Sequence, residues 1–125
     1  MAMKLGIVGY GVVGKALAKV FRYDSGNSGL VIYDKHLKGM ITAGRRAAIQ
    51  KCDLVFVAVP TPGRSDGSCA LSAVEEVASW VSPVMCVKST VPPGTVDRLA
   101  AWTGKTICVS PEYVGETLWH PLTRS

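Results

Sequence analysis

A glycine triplet near the start of the chain constrains its fold more than any other feature. Gly9-Tyr10-Gly11-Val12-Val13-Gly14 follows the apolar run Lys4-Leu-Gly-Ile-Val8 and leads into a stretch reaching Arg22. In that stretch Val13, Ala16, Leu17, Val20 and Phe21 recur at helical spacing, with Lys15, Lys19 and Arg22 on the other side. A strand that passes through G-x-G-x-x-G into a helix makes a tight turn and then packs closely on itself. Gly9 permits the turn, Gly11 leaves the backbone without a Cβ, and Gly14 lets helix and strand approach. Free N–H groups at the helix start, around Val12 and Val13, can then face an anion. The bland alternative is the same turn with no ligand.

The second apolar run, Leu30-Val-Ile-Tyr33, ends at Asp34, and an acid about 20–25 residues beyond the glycines strengthens the ligand reading. A carboxylate there accepts hydrogen bonds from both hydroxyls of an adenosine ribose, while the pyrophosphate of a dinucleotide lies on the glycine loop. A 2′-phosphate would be repelled by Asp34, so NAD is expected rather than NADP. Lys35 and His36 follow directly and work against that repulsion. His36 is otherwise read as an exposed loop residue.

Downstream, short apolar runs alternate with amphipathic ones, the pattern of a parallel α/β sheet. Residues 36–51 are ambiguous: Ala43 to Gln50 has helical character, but Gly39 and Gly44 weaken it. Asp53-Leu-Val-Phe-Val-Ala-Val59 reads as a buried strand stopped by Pro60 and Pro62. Ser72 with Glu75 has capping-box spacing ahead of the apolar face Val74, Val77, Ala78 and Val81. Val84 to Lys88 reads as a strand, Thr95 to Trp102 as a helix with Asp97 near its positive end, and Thr106 to Val109 as a fifth strand. The expected fold is a single Rossmann-like, doubly wound parallel sheet of about five strands, with strand 1 between strands 2 and 4. The domain is expected over residues 1–112, with 113–125 a tail or the start of a further region.

Composition narrows the alternatives. The 125 residues suit one domain, and no apolar run approaches the roughly 18–20 residues of a membrane span. The strand begins too soon after Met1 for a secretory leader. Cys52, Cys69, Cys86 and Cys108 form no metal or redox motif, so reduced thiols in a cytoplasmic protein and no bound metal are expected. Cys86 and Cys108, inside apolar runs, are expected to be buried. Residues 1–51 carry nine Lys/Arg against two Asp/Glu, whereas 52–125 carry five against seven. No nucleic-acid motif accompanies that basic half, so nucleic acid is not the expected partner.

Val59-Pro60-Thr61-Pro62, Lys88-Ser89-Thr90-Val91-Pro92-Pro93-Gly94 and Val109-Ser110-Pro111-Glu112 all fall at carboxyl ends of strands, where such sheets bind ligands. Any one Ser or Thr here could simply cap a turn. In order, GYGVVG, VAVPTP, KSTVPPGT and SPEYVGE resemble the amino-terminal NAD-binding domain of the UDP-glucose/GDP-mannose dehydrogenases over nearly the whole chain. The first segment is generic to nucleotide-binding domains; the other three are specific together, and PTP and STVPPG argue against a 6-phosphogluconate-type enzyme.

The resemblance implies an NAD site in which Tyr10, Lys35 and Pro60 join the glycine loop and Asp34. It implies that Thr61 and Thr90 line the nicotinamide side, with Thr90 helping to hold a water. Glu112 would be the carboxylate near that water, suited to general-base work, and Glu116 a second glutamate that assists breakdown of a covalent intermediate. A UDP- or GDP-sugar is the implied substrate. The family's thioester-forming cysteine, with a lysine and an asparagine of its catalytic set, lies further along than these motifs. Binding without turnover is therefore expected. The alternative is a non-enzymatic NAD-binding or regulatory module that joins a second copy or a partner chain through an open sheet edge near strand 5, where Trp119 and Leu122 could contribute.

Overall fold

The computed structural model describes residues 3–25, 29–39, 43–67 and 70–110. Glu112, Glu116, Trp119, Leu122 and Cys69 lie outside them. The elements are β1 (Leu5–Val8), α1 (Val12–Ser25), β2 (Leu30–Tyr33), α2 (Ala43–Gln50), β3 (Leu54–Val57), α3 (Ser72–Trp80), β4 (Val84–Val87), α4 (Thr95–Thr103) and β5 (Ile107–Val109). Among the described residues the four strand pairings are all parallel, in the order β2-β1-β3-β4-β5.

The order corrects one expectation: β1 lies between β2 and β3, not between strands 2 and 4. The reason is burial. The third strand, Leu-Val-Phe-Val, is apolar on both faces and so takes an interior place, with β1 at one side and β4 at the other. In the order expected from the sequence it would lie at an edge. The ambiguous segment supplies the helix that crosses over β1, and Gly6 makes room for it. A Cβ on Gly6 would meet Ile49 Cδ1 at 2.9 Å and Cys52 Sγ at 3.1 Å.

Alternation along the strands divides the core into two layers. Val8, Val55, Val57, Met85 and Val87 face α2, α3 and α4 through Ile49, Val74, Val77, Val96 and Leu99. Ile7 and Ile32 face α1 through Leu17 and Ala18, and Phe21 reaches across to Phe56 at 5.0 Å between ring centroids. Ala18 lies in this stripe, whereas Val20, expected in it, is 40% exposed. The α3 face is buried at all four expected positions. Its capping box is not formed: the helix begins on Ser72 itself, Leu71 is the N-cap, and no side chain caps it. Glu75 turns instead to Arg98, 3.5 Å away. Cys86 is buried as expected, but its in-register neighbour Cys108, on edge strand β5, is exposed.

Candidate cofactor site

The carboxyl ends of β1, β2, β3 and β4 open onto one cleft of about 600 Å³, within the range of pre-formed small-molecule sites. Reversal of the chain direction at β1 creates it, because β2 and β3 leave β1 on opposite sides. The glycine loop forms its floor, and the three glycines are there for different reasons. Gly9 has φ +102°, and a Cβ would meet the Ala58 carbonyl oxygen at 2.6 Å. At Gly14 a Cβ would come within 1.9 Å of the Gly9 carbonyl oxygen. Both are demanded by the protein's own packing. At Gly11 a Cβ would meet nothing within 4 Å, although Gly11 lines the cleft. Its bare backbone borders open space, as it would beneath a pyrophosphate.

The first intrahelical hydrogen bond of α1 runs from Lys15 N to Gly11 O at 2.9 Å. The N–H groups of Val12, Val13 and Gly14 thus precede the helix's internal ladder and form its positive end. Val12 and Val13 line the cleft with Gly9, Tyr10 and Gly11. Asp34 closes one end. Its Oδ2 accepts the Tyr10 N–H at 2.7 Å, and its Oδ1 accepts the His36 N–H at 2.8 Å. The carboxylate is thereby fixed against the glycine loop, and each oxygen retains a lone pair for a ribose hydroxyl. Glycine cradle, helix terminus and anchored acid together fit a dinucleotide.

Thr61 Oγ1 also donates to the Thr90 carbonyl at 2.8 Å, which brings the PTP and STVPPG loops together. Pro60, Thr61 and Thr90 all line the cleft. Buried Ser89 stands behind them: its hydroxyl donates to the Val59 carbonyl at 2.7 Å and ties the two strand ends together. Lys88 Nζ donates to Ser110 Oγ at 3.1 Å. Ser89 was read in the sequence only as a residue of its loop; its anchoring role depends on a carbonyl 30 residues away.

Sequence reasoning also missed the wall contributed by α3. Trp80 lines the cleft, stands edge-on to Tyr33 at 5.2 Å, and carries Arg46 over its ring at 4.3 Å. Glu76 lines it too and pairs with Lys35, Nζ to Oε2 2.6 Å. Among the described residues the cysteines are elsewhere. Burial raises the thiol pKa of Cys52, and burial followed by a hydrogen bond with Cys108 pushes that of Cys86 up to about 11. Neither lines the cleft.

The sequence profile of the UDP-glucose/GDP-mannose dehydrogenase family, NAD binding domain, matches residues 28–117, well over half of the chain. The chain belongs to this family. The matched span begins after the glycine loop, so that loop's assignment stands on its own geometry. A Bacillus subtilis (strain 168) protein of UDP-glucose 6-dehydrogenase type, YtcA, is 38% identical over 61 residues, covering 44% of this chain and 14% of its own. The solved UDP-glucose dehydrogenase of the hyperthermophilic archaeon Pyrobaculum islandicum superposes with a TM-score of 0.69 at 27% identity, over 90% of this chain and 36% of that one. A GDP-mannose dehydrogenase from Pseudomonas aeruginosa gives 0.70 at 20% identity, over 93% and 37%, and supports the fold. The chain thus spans little more than a third of either structure. It comprises the NAD-binding domain of the nucleotide-sugar dehydrogenase family.

Proposed function

We propose that these residues bind NAD across the cleft, in the service of oxidising a nucleotide-sugar alcohol. The observation that carries this reading is one juxtaposition in the cleft: bare Gly11 at the start of α1, with open space over it, beside an Asp34 carboxylate held on the Tyr10 N–H. The pyrophosphate lies on the loop from Gly9 to Gly14 and against the N–H groups of Val12 and Val13. Asp34 accepts the ribose hydroxyls, and Pro60, Thr61 and Thr90 border the nicotinamide. When bound, NAD supplies the hydride acceptor. Thr90 holds a water, Glu112 accepts a proton from it, and Glu116 assists hydrolysis; a UDP- or GDP-sugar is the substrate class.

The nucleophilic thiol for the second oxidation is not offered by Cys52 or Cys86, which are buried away from the cleft. Cys108 is exposed but does not line the cleft either, and the reading proposed for these 125 residues is cofactor binding without completion of the two-step oxidation. Titration of NAD, followed through the fluorescence of Trp80 with Trp80→Phe as control, is expected to saturate below millimolar cofactor. Absence of saturable binding there, confirmed by calorimetry, removes the reading. Formation of NADH from a UDP- or GDP-sugar by the isolated chain would overturn the claim of incompleteness.

A further inference from the structure

The end of β2 presents contradictory charges to a ribose: Asp34 opposes a 2′-phosphate, while Lys35 next to it would attract one. The structure shows where Lys35 is directed. Its Nζ donates to Glu76 Oε2 at 2.6 Å, across 41 residues of sequence, from the β2 end to α3. Both residues line the main cleft and a smaller neighbouring cavity of about 240 Å³, so the pair stands at the boundary of the two. Two other cations close by are engaged in different ways: Arg45 Nη1 donates to the Ile32 carbonyl at 3.0 Å, and Arg46 lies over Trp80.

Resting on the reading of the cleft as an NAD site, we propose that Glu76 determines cofactor selectivity by engaging Lys35 and so denying it to a 2′-phosphate. A phosphate on the ribose beside Asp34 would meet that carboxylate and a lysine whose charge Glu76 already balances. A ribose with a free 2′-hydroxyl requires no cation and is unaffected. Glu76 is in this sense a positioning residue for selectivity, acting through Lys35 rather than by touching the reacting atoms. Its pair with Lys35 is partly exposed, with side chains 41% and 48% accessible, so it contributes little to folding and its removal leaves the domain intact.

The test is the ratio of NADP to NAD affinity, measured calorimetrically at low and high salt for the 125-residue chain and for Glu76→Gln, Lys35→Met and the double variant. Glu76→Gln is expected to tighten NADP about tenfold, the effect of one charge-assisted hydrogen bond newly available to the phosphate. NAD affinity should stay within about twofold, and the NADP gain should shrink as salt screens the exposed charges. Adding Lys35→Met to Glu76→Gln should abolish the gain. Failure of the unaltered chain to bind NAD overturns the underlying reading of the site. Normal NAD binding with an unchanged ratio in Glu76→Gln, or a gain that persists without Lys35, overturns the role of Glu76 alone.

Discussion

The contrast between Gly14 and Gly11 separates what the fold requires from what the proposed ligand would require. A methyl group at Gly14 would sit 1.9 Å from a main-chain oxygen, about 1 Å inside the closest tolerable contact. Because that oxygen belongs to backbone, no side-chain rotation relieves the overlap; α1 must shift relative to the turn after β1. Overpacking of this kind costs about 1–3 kcal/mol, partly offset by the better helix propensity of alanine. A net loss of about 2 kcal/mol lowers the melting temperature of a domain this size by roughly 8 °C. Gly11→Ala meets open space, and at the N-cap position alanine costs only about 0.5–1 kcal/mol. Its methyl instead narrows the pyrophosphate cradle, weakening NAD about tenfold or more, by the same overpacking cost applied to the complex. Melting followed by circular dichroism without cofactor, paired with NAD titration, reads both effects. The reasoning is refuted if Gly11→Ala binds NAD like the unaltered chain, or if it melts below Gly14→Ala.

Asp34→Ala should weaken NAD about tenfold and NADP distinctly less, since only the former uses both ribose hydroxyls on the carboxylate; equal losses in calorimetry would take Asp34 off the ribose. Ser89→Ala deletes the 2.7 Å bond to the Val59 carbonyl, and urea unfolding should show a loss of about 1–2 kcal/mol for the acceptor left unsatisfied. Cys86, with its thiol raised to about 11 from an ordinary 9.0, holds its proton in the folded state after the unfolded chain has released it. Its contribution to stability is therefore whole below pH 9 and is lost as the pH rises towards 11. Urea unfolding across that interval should show a steeper decline for the unaltered chain than for Cys86→Val, and parallel curves would contradict the shift. Peptide mapping of protein alkylated at about pH 8 should find exposed Cys108 modified well before buried Cys86, whose thiol is raised.

The strands were legible because each apolar run is short and bounded by Gly, Pro or an acid, and all five fall within the expected segments. Their order was not. Which neighbour β1 takes depends on where the crossover after β2 lands, and that helix was the ambiguous stretch with Gly39 and Gly44. Its position is settled by a contact the sequence does not display, the seating of Ile49 and Cys52 over bare Gly6. Val20 shows the same limit on a smaller scale. Leu17, Ala18 and Phe21 share one stripe of α1, and Val20 lies about 100° around the helix from its centre, so apolar character alone overstated the width of the buried face. Cys108 lies in an apolar run yet is exposed, because β5 is an edge strand.

The strand order also decides what the cofactor site is made of. Had the third strand gone beyond β2, the loop after it and α3 would have stood away from the glycine turn. With β3 beside β1, Ala58 instead closes over Gly9, and the Val59–Thr61 loop faces the start of α1. Glu76 of α3 then comes opposite Lys35. Gly9, Gly14 and Asp34 could be read from spacing because strand, turn and helix are contiguous in the chain. Glu76 could not, because an acid on the wet side of a helix is ordinarily just solvated and its partner is 41 residues away. The proposed cofactor selectivity thus rests on two carboxylates of different legibility: Asp34, placed by local sequence, and Glu76, placed by topology. Exchanging the charge at Glu76 while leaving Asp34 intact is the perturbation that tells their contributions apart.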